Sequence, residues 1–375
     1  MAGLNGEIRG MAWGKVMLFG EYAVLDGGPA ILAATPQIAE ASYKPFEQSH
    51  KLNLNYPEFK ELLSQARQCK VTPLYLLQSY HWGMAVLGTT PNGDLIGVGA
   101  SFPFVEEALK QVGAPAGFYS IDTTGFGLER AGKWQKMGIG SSGASTAALC
   151  DLFRLLPCEA QLDLGTSKQR FIFARNLHRK VQGGLGSGAD VASSTFGGII
   201  CFKAHPNGLD HDPEIRAISD SLPRSWGLWR GGSQSTVKSL NKVKLWQETH
   251  PHDYKVHMDQ ISAVAQRALR CITAHQTDQQ LWCHIVHEGA QTMRSLSNAL
   301  GLSLWTERHE YWSTLLGRYG GVIKPTGAGG DDLTLFAAES IEAEQACLAI
   351  LKEDSERRGE LLHHFLLSSD VKRSE

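Results

Sequence analysis

The sequence KMGIGSSGASTAAL, Lys136–Leu149, carries the strongest indication of fold and function in this chain. Its three glycines reach backbone conformations that a Cβ atom would forbid, and Ser141 and Ser142 are preferred residues at a helix N-cap. The small residues that follow predict a helix start. Such a loop turns backbone N–H groups toward one point, where the helix dipole adds roughly half a positive charge, so it is typical of phosphate binding. Its spacing is not that of a Walker A loop. A glycine-rich turn that only starts a helix is the alternative.

Three further segments favour the phosphate-binding interpretation. Residues 12–31 read AWGKVMLFGEYAVLDGGPAI, which predicts a buried strand that breaks and then resumes at Tyr22–Leu25. Residues 323–338 read IKPTGAGGDDLTLFAA and contain a second glycine-rich turn before an apolar run. Residues 181–200 read VQGGLGSGADVASSTFGGII and place one acid, Asp190, among glycines and other small residues.

Taken in their order along the chain, the four segments resemble the motifs of the GHMP kinase superfamily. Members of that superfamily use ATP to phosphorylate hydroxyl, carboxylate or phosphate groups of small molecules. Motif one resembles residues 14–30, motif two residues 138–146 and motif three residues 324–332. The Gly-Ser-Gly-Ala-Asp sequence at 186–190 is similar to the acid-bearing stretch of the mevalonate-pathway members. Four ordered matches that span residues 12–338 form a more specific pattern than any single glycine loop.

The resemblance implies an α/β (α+β) architecture of two domains with the active site between them. The first would be a ribosomal-S5-like domain over residues 1–222, and the second a ferredoxin-like domain over residues 223–375. The polar stretch 205–223 contains three prolines and places the boundary near its end.

Several details resemble the phosphomevalonate kinase family within that superfamily. Tyr22 stands where mevalonate kinases usually carry His, and Gly143 where they usually carry Ala. Residues 229–238, WRGGSQSTVK, resemble a Thr-Gly-x-x-x-Ser-Thr stretch of the same family. Arg179 replaces a glutamate of mevalonate kinases, within the basic cluster at 178–180. A basic cluster suits a substrate that already carries a phosphate; a solvated helix end is the alternative.

The resemblance also implies the roles of particular residues. Lys15 and Asp190 are the predicted catalytic residues: Asp190 would orient or deprotonate the attacking oxygen, and Lys15 would neutralise charge beside it. ATP and Mg²⁺ are the predicted cofactors, with Ser141 or Ser142 offering a hydroxyl to the metal. The predicted ATP-phosphate residues are Gly138, Ile139, Gly140, Ser141, Ser142, Gly143 and Ala144. The predicted substrate-binding residues are Tyr22, Lys180, Gly188, Thr326, Gly327, Ala328 and Gly329.

The chain departs from the motifs of the superfamily at three places. Trp13 stands where a Pro usually precedes Gly-Lys, and Lys136-Met137 replaces an apolar lead-in to motif two. Asp331 replaces the last glycine of Gly-Gly-Gly-Asp in motif three. This third change is expected to bring an additional carboxylate close to the substrate, so it leaves the acceptor open.

The composition fits a soluble enzyme, and the resemblance implies a small phosphorylated molecule as its substrate. A chain of 375 residues with 42% hydrophobic residues is long enough for two cores, and a net charge of −2 indicates neither a nucleic-acid nor a membrane partner. The longest apolar runs are too short to span a bilayer. Seven scattered cysteines without a CxxC pair predict free thiols in the reducing cytoplasm. We expect a monomer or a homodimer.

Hydrophobic periodicity predicts a mixed pattern of helices and strands. Strands are predicted at 16–19, 226–229 and 333–338. Helices are predicted near 57–70, 73–88, 103–112, 141–156, 167–182, 235–247, 253–275, 278–300, 306–319 and 340–352.

Three functional hypotheses remain at this stage. The favoured one is an ATP-dependent kinase that converts phosphomevalonate to diphosphomevalonate on the mevalonate route to isoprenoids. The second is a mevalonate kinase or another small-molecule kinase of the superfamily, and a diphosphomevalonate decarboxylase shares the fold with a poorer motif match. The third is a catalytically silent member that binds a ligand for regulation. The presence of Lys15, Ser141, Ser142 and Asp190 together favours an enzyme.

Overall fold

The computed structural model of the chain describes residues 7–45, 57–79, 82–130, 133–160, 162–181, 183–184, 186–205, 207–208, 211–219, 222–231, 236–274, 278–360 and 362–367. Their strands are β1 (Ile8–Phe19), β2 (Pro29–Pro45), β3 (Thr72–Ser79), β4 (Gly83–Thr89), β5 (Leu95–Gly99), β6 (Gly117–Asp122), β7 (Gly127–Arg130), β8 (Lys133–Lys136), β9 (Ile199–Lys203), β10 (Glu214–Ser219), β11 (Ser225–Trp229), β12 (Gly321–Pro325), β13 (Thr334–Ala338) and β14 (His363–Leu366). Their helices are α1 (Pro57–Gln68), α2 (Pro103–Val112), α3 (Ser141–Phe153), α4 (Ser167–Val181), α5 (Ala189–Phe196), α6 (Thr236–Thr249), α7 (Pro251–Thr273), α8 (Gln279–Leu300), α9 (Glu307–Gly317) and α10 (Ile341–Arg358).

The strands form two larger sheets that use separate parts of the chain. The first has eight strands in the order β10-β9-β2-β6-β3-β4-β5, with β1 paired to β2. Its pairings are antiparallel except for β3 with β6. The second sheet is antiparallel, in the order β12-β13-β11-β14. The predicted boundary between residues 222 and 223 falls between the last strand of the first sheet and the first strand of the second; the division into domains itself stays a prediction.

Helix α3 is buried on nearly all sides because small residues let it lie close to the first sheet. Most of its side chains, from Ser141 to Phe153, are shielded from solvent. A Cβ atom on Gly10 of β1 would lie 2.1 Å from the backbone nitrogen of Leu152 and 2.4 Å from the carbonyl oxygen of Ala148. Glycine is therefore required where β1 crosses the helix, and strand and helix form one packed unit.

The apolar core continues from the first sheet into the second. One cluster of buried side chains joins residues of β1 and α3 to residues of α7, α8 and β13. Phe19 at the end of β1 meets Trp282 of α8 edge to face, with ring centroids 5.4 Å apart. Burial of such large rings stabilises the contact between the two halves of the chain.

Most of the predicted elements are confirmed, and two predictions are wrong. The described residues of 73–88, predicted as a helix, lie in the antiparallel strands β3 and β4, where Leu76 and Val86 pack with Phe59 and Ala66 of α1. Residues Tyr22–Leu25, predicted as a resumed strand, form a 3₁₀ turn over Ala23–Asp26. Tyr22 has a φ of 60°, and the Val24 N–H donates to the Gly20 carbonyl, so local turn bonds replace strand pairing.

Within the described residues, no helix has both the length and the apolar character needed to cross a membrane.

Candidate active site

Three helix ends meet beside the first sheet. The N-termini of α3 and α5 and the C-terminal part of α4 pack against one another. Gly140 and Gly188 occupy the N-cap positions of α3 and α5, with φ values of 80° and 82°. The first N–H groups of a helix have no partner within the helix and favour an anion. Two such ends lie close together here, so this position favours an anion.

Lys15 extends from β1 alongside the glycine turn of motif two. Its backbone N–H donates to the Ile139 carbonyl at 2.8 Å. Its Cγ and Cε atoms each lie 2.8 Å from the position that a Cβ atom on Gly140 would take. Its Nζ lies 4.0 Å from the corresponding position on Gly327. Lys15 therefore lies between motif two and motif three, which the sequence alone does not show.

Asp190 lies in the first turn of α5, against the first turn of α3. Its Oδ2 is 3.1 Å from the position of a Cβ atom on Gly143, so an alanine there would push the carboxylate away. Its side chain is 31% exposed. Oδ2 also lies 4.0 Å from His178 Nδ1. Within the described residues, the pair with His178 is the ion pair that Asp190 makes. No ion pair in that part of the chain joins Asp190 directly to Lys15.

Motif three forms a tight loop between β12 and β13. The Thr326 hydroxyl donates to the Leu333 carbonyl at 2.6 Å, and the Gly329 N–H donates to the Thr326 carbonyl at 3.1 Å. The loop is tied to distant parts of the chain as well. The Tyr22 hydroxyl donates to the Ala328 carbonyl at 2.8 Å, so Tyr22 holds this loop in place.

Asp332 brings motif three into contact with motif two. Its Oδ1 lies 2.8 Å from the position of a Cβ atom on Gly138, whose φ is +74°. Lys136 lies nearby, and desolvation and the charge of Lys15 lower its pKa, whereas Asp332 raises it. Sequence reasoning considered Asp332 only as an alternative catalytic acid to Asp190, and it gave Lys136 no role.

Asp331 does not add a carboxylate to the cleft, contrary to the sequence expectation. Its Oδ1 lies 3.4 Å from the Thr306 hydroxyl and 3.4 Å from the Arg308 guanidinium, at the start of α9. A carboxylate is favoured there because it faces the N-terminus of a helix.

A buried ion pair links motif one to motif three. The Lys324 ammonium donates to the Glu21 carboxylate, with side chains 1% and 2% exposed, and also to the Pro325 carbonyl at 2.8 Å. Burial raises the pKa of Glu21 and lowers that of Lys324, and each charge opposes the shift of the other. Sequence reasoning missed this pair, since its members are 303 residues apart.

The basic cluster at 178–180 does not act as one surface. His178 is buried, and its Nε2 lies 3.1 Å from the Ser142 hydroxyl. Lys180 is exposed and ion-paired with Glu107 of α2. Its role in substrate binding stays a prediction.

Other predicted site residues are governed by packing. A Cβ atom on Gly188 would lie 2.7 Å from Arg175 Cγ. This close packing accounts for a glycine at position 188, so no bound ligand is needed to explain it. Within the stretch 229–238, residues 232–235 lie outside the described residues.

Comparison with known proteins gives a consistent picture. No protein-family model matches the chain. A phosphomevalonate kinase from Streptomyces sp. (strain CL190) is 24% identical over 355 residues, which cover 87% of this chain and 89% of that protein. A protein of known structure from Listeria innocua superimposes with a TM-score of 0.73 at 18% identity, covering 98% of both chains. A Streptococcus pneumoniae phosphomevalonate kinase in complex with phosphomevalonate and AMPPNP superimposes with a TM-score of 0.66 at 15% identity, covering 96% of this chain and 99% of the other.

The fold is that of the GHMP kinases of known structure, and the three glycine motifs resemble those of that superfamily. Within that superfamily the chain is similar to the phosphomevalonate kinases.

Proposed function

We propose that the chain transfers the γ-phosphoryl group of ATP to phosphomevalonate, giving diphosphomevalonate and ADP. The bond between the γ-phosphorus and the β,γ-bridging oxygen breaks, and a bond forms between the γ-phosphorus and a phosphate oxygen of phosphomevalonate. The observation that carries the proposal is the meeting of two helix N-termini with Lys15 and Asp190 at the turn of motif two. The curated relatives named phosphomevalonate kinase support the choice of acceptor.

The backbone of Gly138–Ala144 would hold the phosphates of ATP at the N-terminus of α3. Charge spreads over the transferred group during the reaction, so positioning and electrostatics dominate catalysis. Lys15 lies between motifs two and three and would neutralise charge on the transferred group. Lys136, which precedes the turn and interacts with Asp332, would contribute a second positive charge.

Asp190 would orient the attacking oxygen. A phosphate oxygen is already largely ionised at neutral pH, so positioning by the carboxylate matters more than removal of a proton. The loop from Thr326 to Gly329 would close over the acceptor, with Tyr22 holding it.

The site also fits Mg²⁺. Ser142 is partly exposed whereas Ser141 is buried, and the Asp190 carboxylate is accessible beside it. A hydroxyl and one carboxylate, together with nucleotide phosphates, are the oxygen ligands that Mg²⁺ takes. When bound, the ion would supply neutralisation of the phosphate charge.

The site lies where residues of both halves meet, which is why we also propose the division into domains at residues 1–222 and 223–375. Lys15, Gly138 and Asp190 come from the first part, and Asp332 and the motif-three loop come from the second.

An ADP-release assay tests the proposed acceptor. The panel contains phosphomevalonate, mevalonate, diphosphomevalonate, homoserine and galactose, each with ATP and Mg²⁺. We expect phosphomevalonate to support ADP release far better than the unphosphorylated alcohols. Equal or better turnover of mevalonate would instead identify a mevalonate kinase, and nucleotide binding without turnover of any acceptor would identify a silent binding protein.

A further inference from the structure

His178 is the buried group at the active site that the proposed mechanism does not use. It lies in the last turn of α4 and its side chain is only 5% exposed. Its two ring nitrogens face two different functional groups: Nε2 lies 3.1 Å from the Ser142 hydroxyl, and Nδ1 lies 4.0 Å from Asp190 Oδ2. The imidazole therefore lies between the residue proposed to hold the metal and the residue proposed to orient the acceptor.

We propose that His178 is a positioning residue that sets the Ser142 hydroxyl and the Asp190 carboxylate relative to each other. We call Ser142, His178 and Asp190 the imidazole bridge. The proposal rests on the proposed function, because Ser142 and Asp190 owe their roles to it.

The chemistry of the two neighbours explains why an imidazole suits this position. A hydroxyl both donates and accepts hydrogen bonds, so Ser142 complements Nε2 in either tautomer. When the Ser142 oxygen faces a cation, its O–H is free to donate to Nε2, which leaves the proton on Nδ1, toward Asp190. One ring thus aims a lone pair of Ser142 at the cation and presents an N–H toward the carboxylate.

The members of the imidazole bridge come from three different helices. Gly143 lets the carboxylate lie against α3, where a Cβ atom would be only 3.1 Å from Oδ2. Asp190 belongs to α5 and Ser142 to α3, so their separation depends on how these helices pack. His178 comes from a third helix, α4, and contacts both. Partners that orient a ligating or catalytic group in this way typically change affinity or activity by about 10–100-fold when removed.

Three substitutions separate the two arms of the imidazole bridge. His178→Leu removes both polar contacts. The amide of His178→Gln can take the place of Nε2 and keep the contact to Ser142, whereas that of His178→Asn can take the place of Nδ1 and keep the contact toward Asp190. The matched control is Arg170→Met on the same helix, because Arg170 is also buried but donates to the carbonyls of Leu164 and Gly165 at the far end of α4.

The experiment measures kcat and KM for phosphomevalonate, and in parallel the calorimetric affinity for ADP with and without Mg²⁺, which needs no turnover. We expect His178→Leu to lower kcat by about 10–100-fold and to weaken the Mg²⁺-dependent part of ADP affinity. His178→Gln should restore the ADP affinity more than kcat, and His178→Asn should restore kcat more than the ADP affinity. Arg170→Met should lower the Tm without changing either quantity.

Two results would overturn the proposal. One is wild-type kcat and ADP affinity in His178→Leu. The other is equal loss in the Leu, Gln and Asn variants, since a packing role predicts no difference between the two amides. If His178→Leu fails to fold, the contrast between Gln and Asn decides alone. If the wild-type protein does not phosphorylate phosphomevalonate, the proposed function fails, and the ADP affinities of the Gln and Asn variants still test the contact to Ser142.

Discussion

The two glycine-rich loops that face each other across the active site are held by different means. The loop of motif two continues directly into α3, and its close neighbours are Lys15 on the adjacent strand and Asp332. The loop of motif three is fixed by residues far away in sequence: Tyr22 bonds to the Ala328 carbonyl, and the Gly330 N–H donates to the Leu304 carbonyl at 2.9 Å. The first loop is continuous with a buried helix and packs closely against Lys15 and Asp332, whereas the second loop is tied by hydrogen bonds to Tyr22 and Leu304, outside the loop. Substitutions around the first should therefore impair catalysis or nucleotide binding, whereas those around the second should impair stability or acceptor binding.

The largest effect is expected on the motif-two side, from Asp190→Asn. This change keeps the size of the side chain and removes its charge, so turnover should fall by roughly 10²–10⁴-fold, the usual range for acid–base and orienting groups. The ADP affinity measured without Mg²⁺ and the free energy of unfolding should change little. Steady-state kinetics with phosphomevalonate and calorimetry measure these quantities.

Asp331→Asn is the matched control for that experiment. Its carboxylate faces Thr306 and Arg308 rather than the cleft, so turnover should stay near that of the wild type. An equal loss in both variants would contradict the assignment of Asp190 as the orienting acid.

The second-largest effect is expected from Lys324→Met. This change tests whether the buried ion pair between Glu21 and Lys324 supports motif three. The change leaves Glu21 buried without its partner, and breaking a buried ion pair in this way costs about 3–5 kcal/mol of unfolding free energy. Urea unfolding measures the loss. The double variant Glu21→Gln with Lys324→Met should recover much of it, because neither charge then remains; equal losses in the single and double variants would show that the pair does not support the loop.

Gly140→Val tests the backbone conformation of the motif-two loop. A β-branched residue at a φ of +80° is strained by at least roughly 1–2 kcal/mol, and its Cβ atom would also displace Lys15. The strain lowers stability, and ADP affinity should fall by about tenfold or more because the branched side chain blocks the close approach of a phosphate. Gly301→Val is the control, since Gly301 has a φ of +58° with open space around it at the end of α8. An unchanged ADP affinity in Gly140→Val would place the phosphates elsewhere.

The smallest effect is expected from Tyr22→Phe. The loss of one hydrogen bond to Ala328 should lower stability by about 0.5–1.5 kcal/mol and raise KM for the acceptor without changing ADP affinity. Tyr43→Phe is the control, because its hydroxyl makes a similar bond to the Ala116 carbonyl, 3.1 Å long, outside the active site. If both variants leave the acceptor KM unchanged, Tyr22 has no part in shaping the acceptor site.

The contrast between the two loops also explains what the sequence could predict. The helix start at Ser141 and the acid at Asp190 follow from local glycine and helix-start patterns, and the resemblance of the four ordered motifs predicted the GHMP kinase fold. The Glu21–Lys324 pair and the Tyr22–Ala328 bond join residues about 300 positions apart, so no local pattern reveals them. The error at residues 73–88 has a similar cause, because apolar spacing alone did not separate a helix from a pair of strands packed against α1.

The close packing at Gly10 restricts motion on the side of the cleft that is formed by β1 and α3. Because β1 crosses α3 in direct backbone contact there, the helix cannot shift without the strand that carries Lys15. Amide protons in the buried turns of α3 should therefore exchange with deuterium only when the whole protein unfolds, while those of residues 327–330 should exchange through smaller local openings. We therefore expect the cleft to open and close by movement of the motif-three loop, while α3 and β1 stay in place.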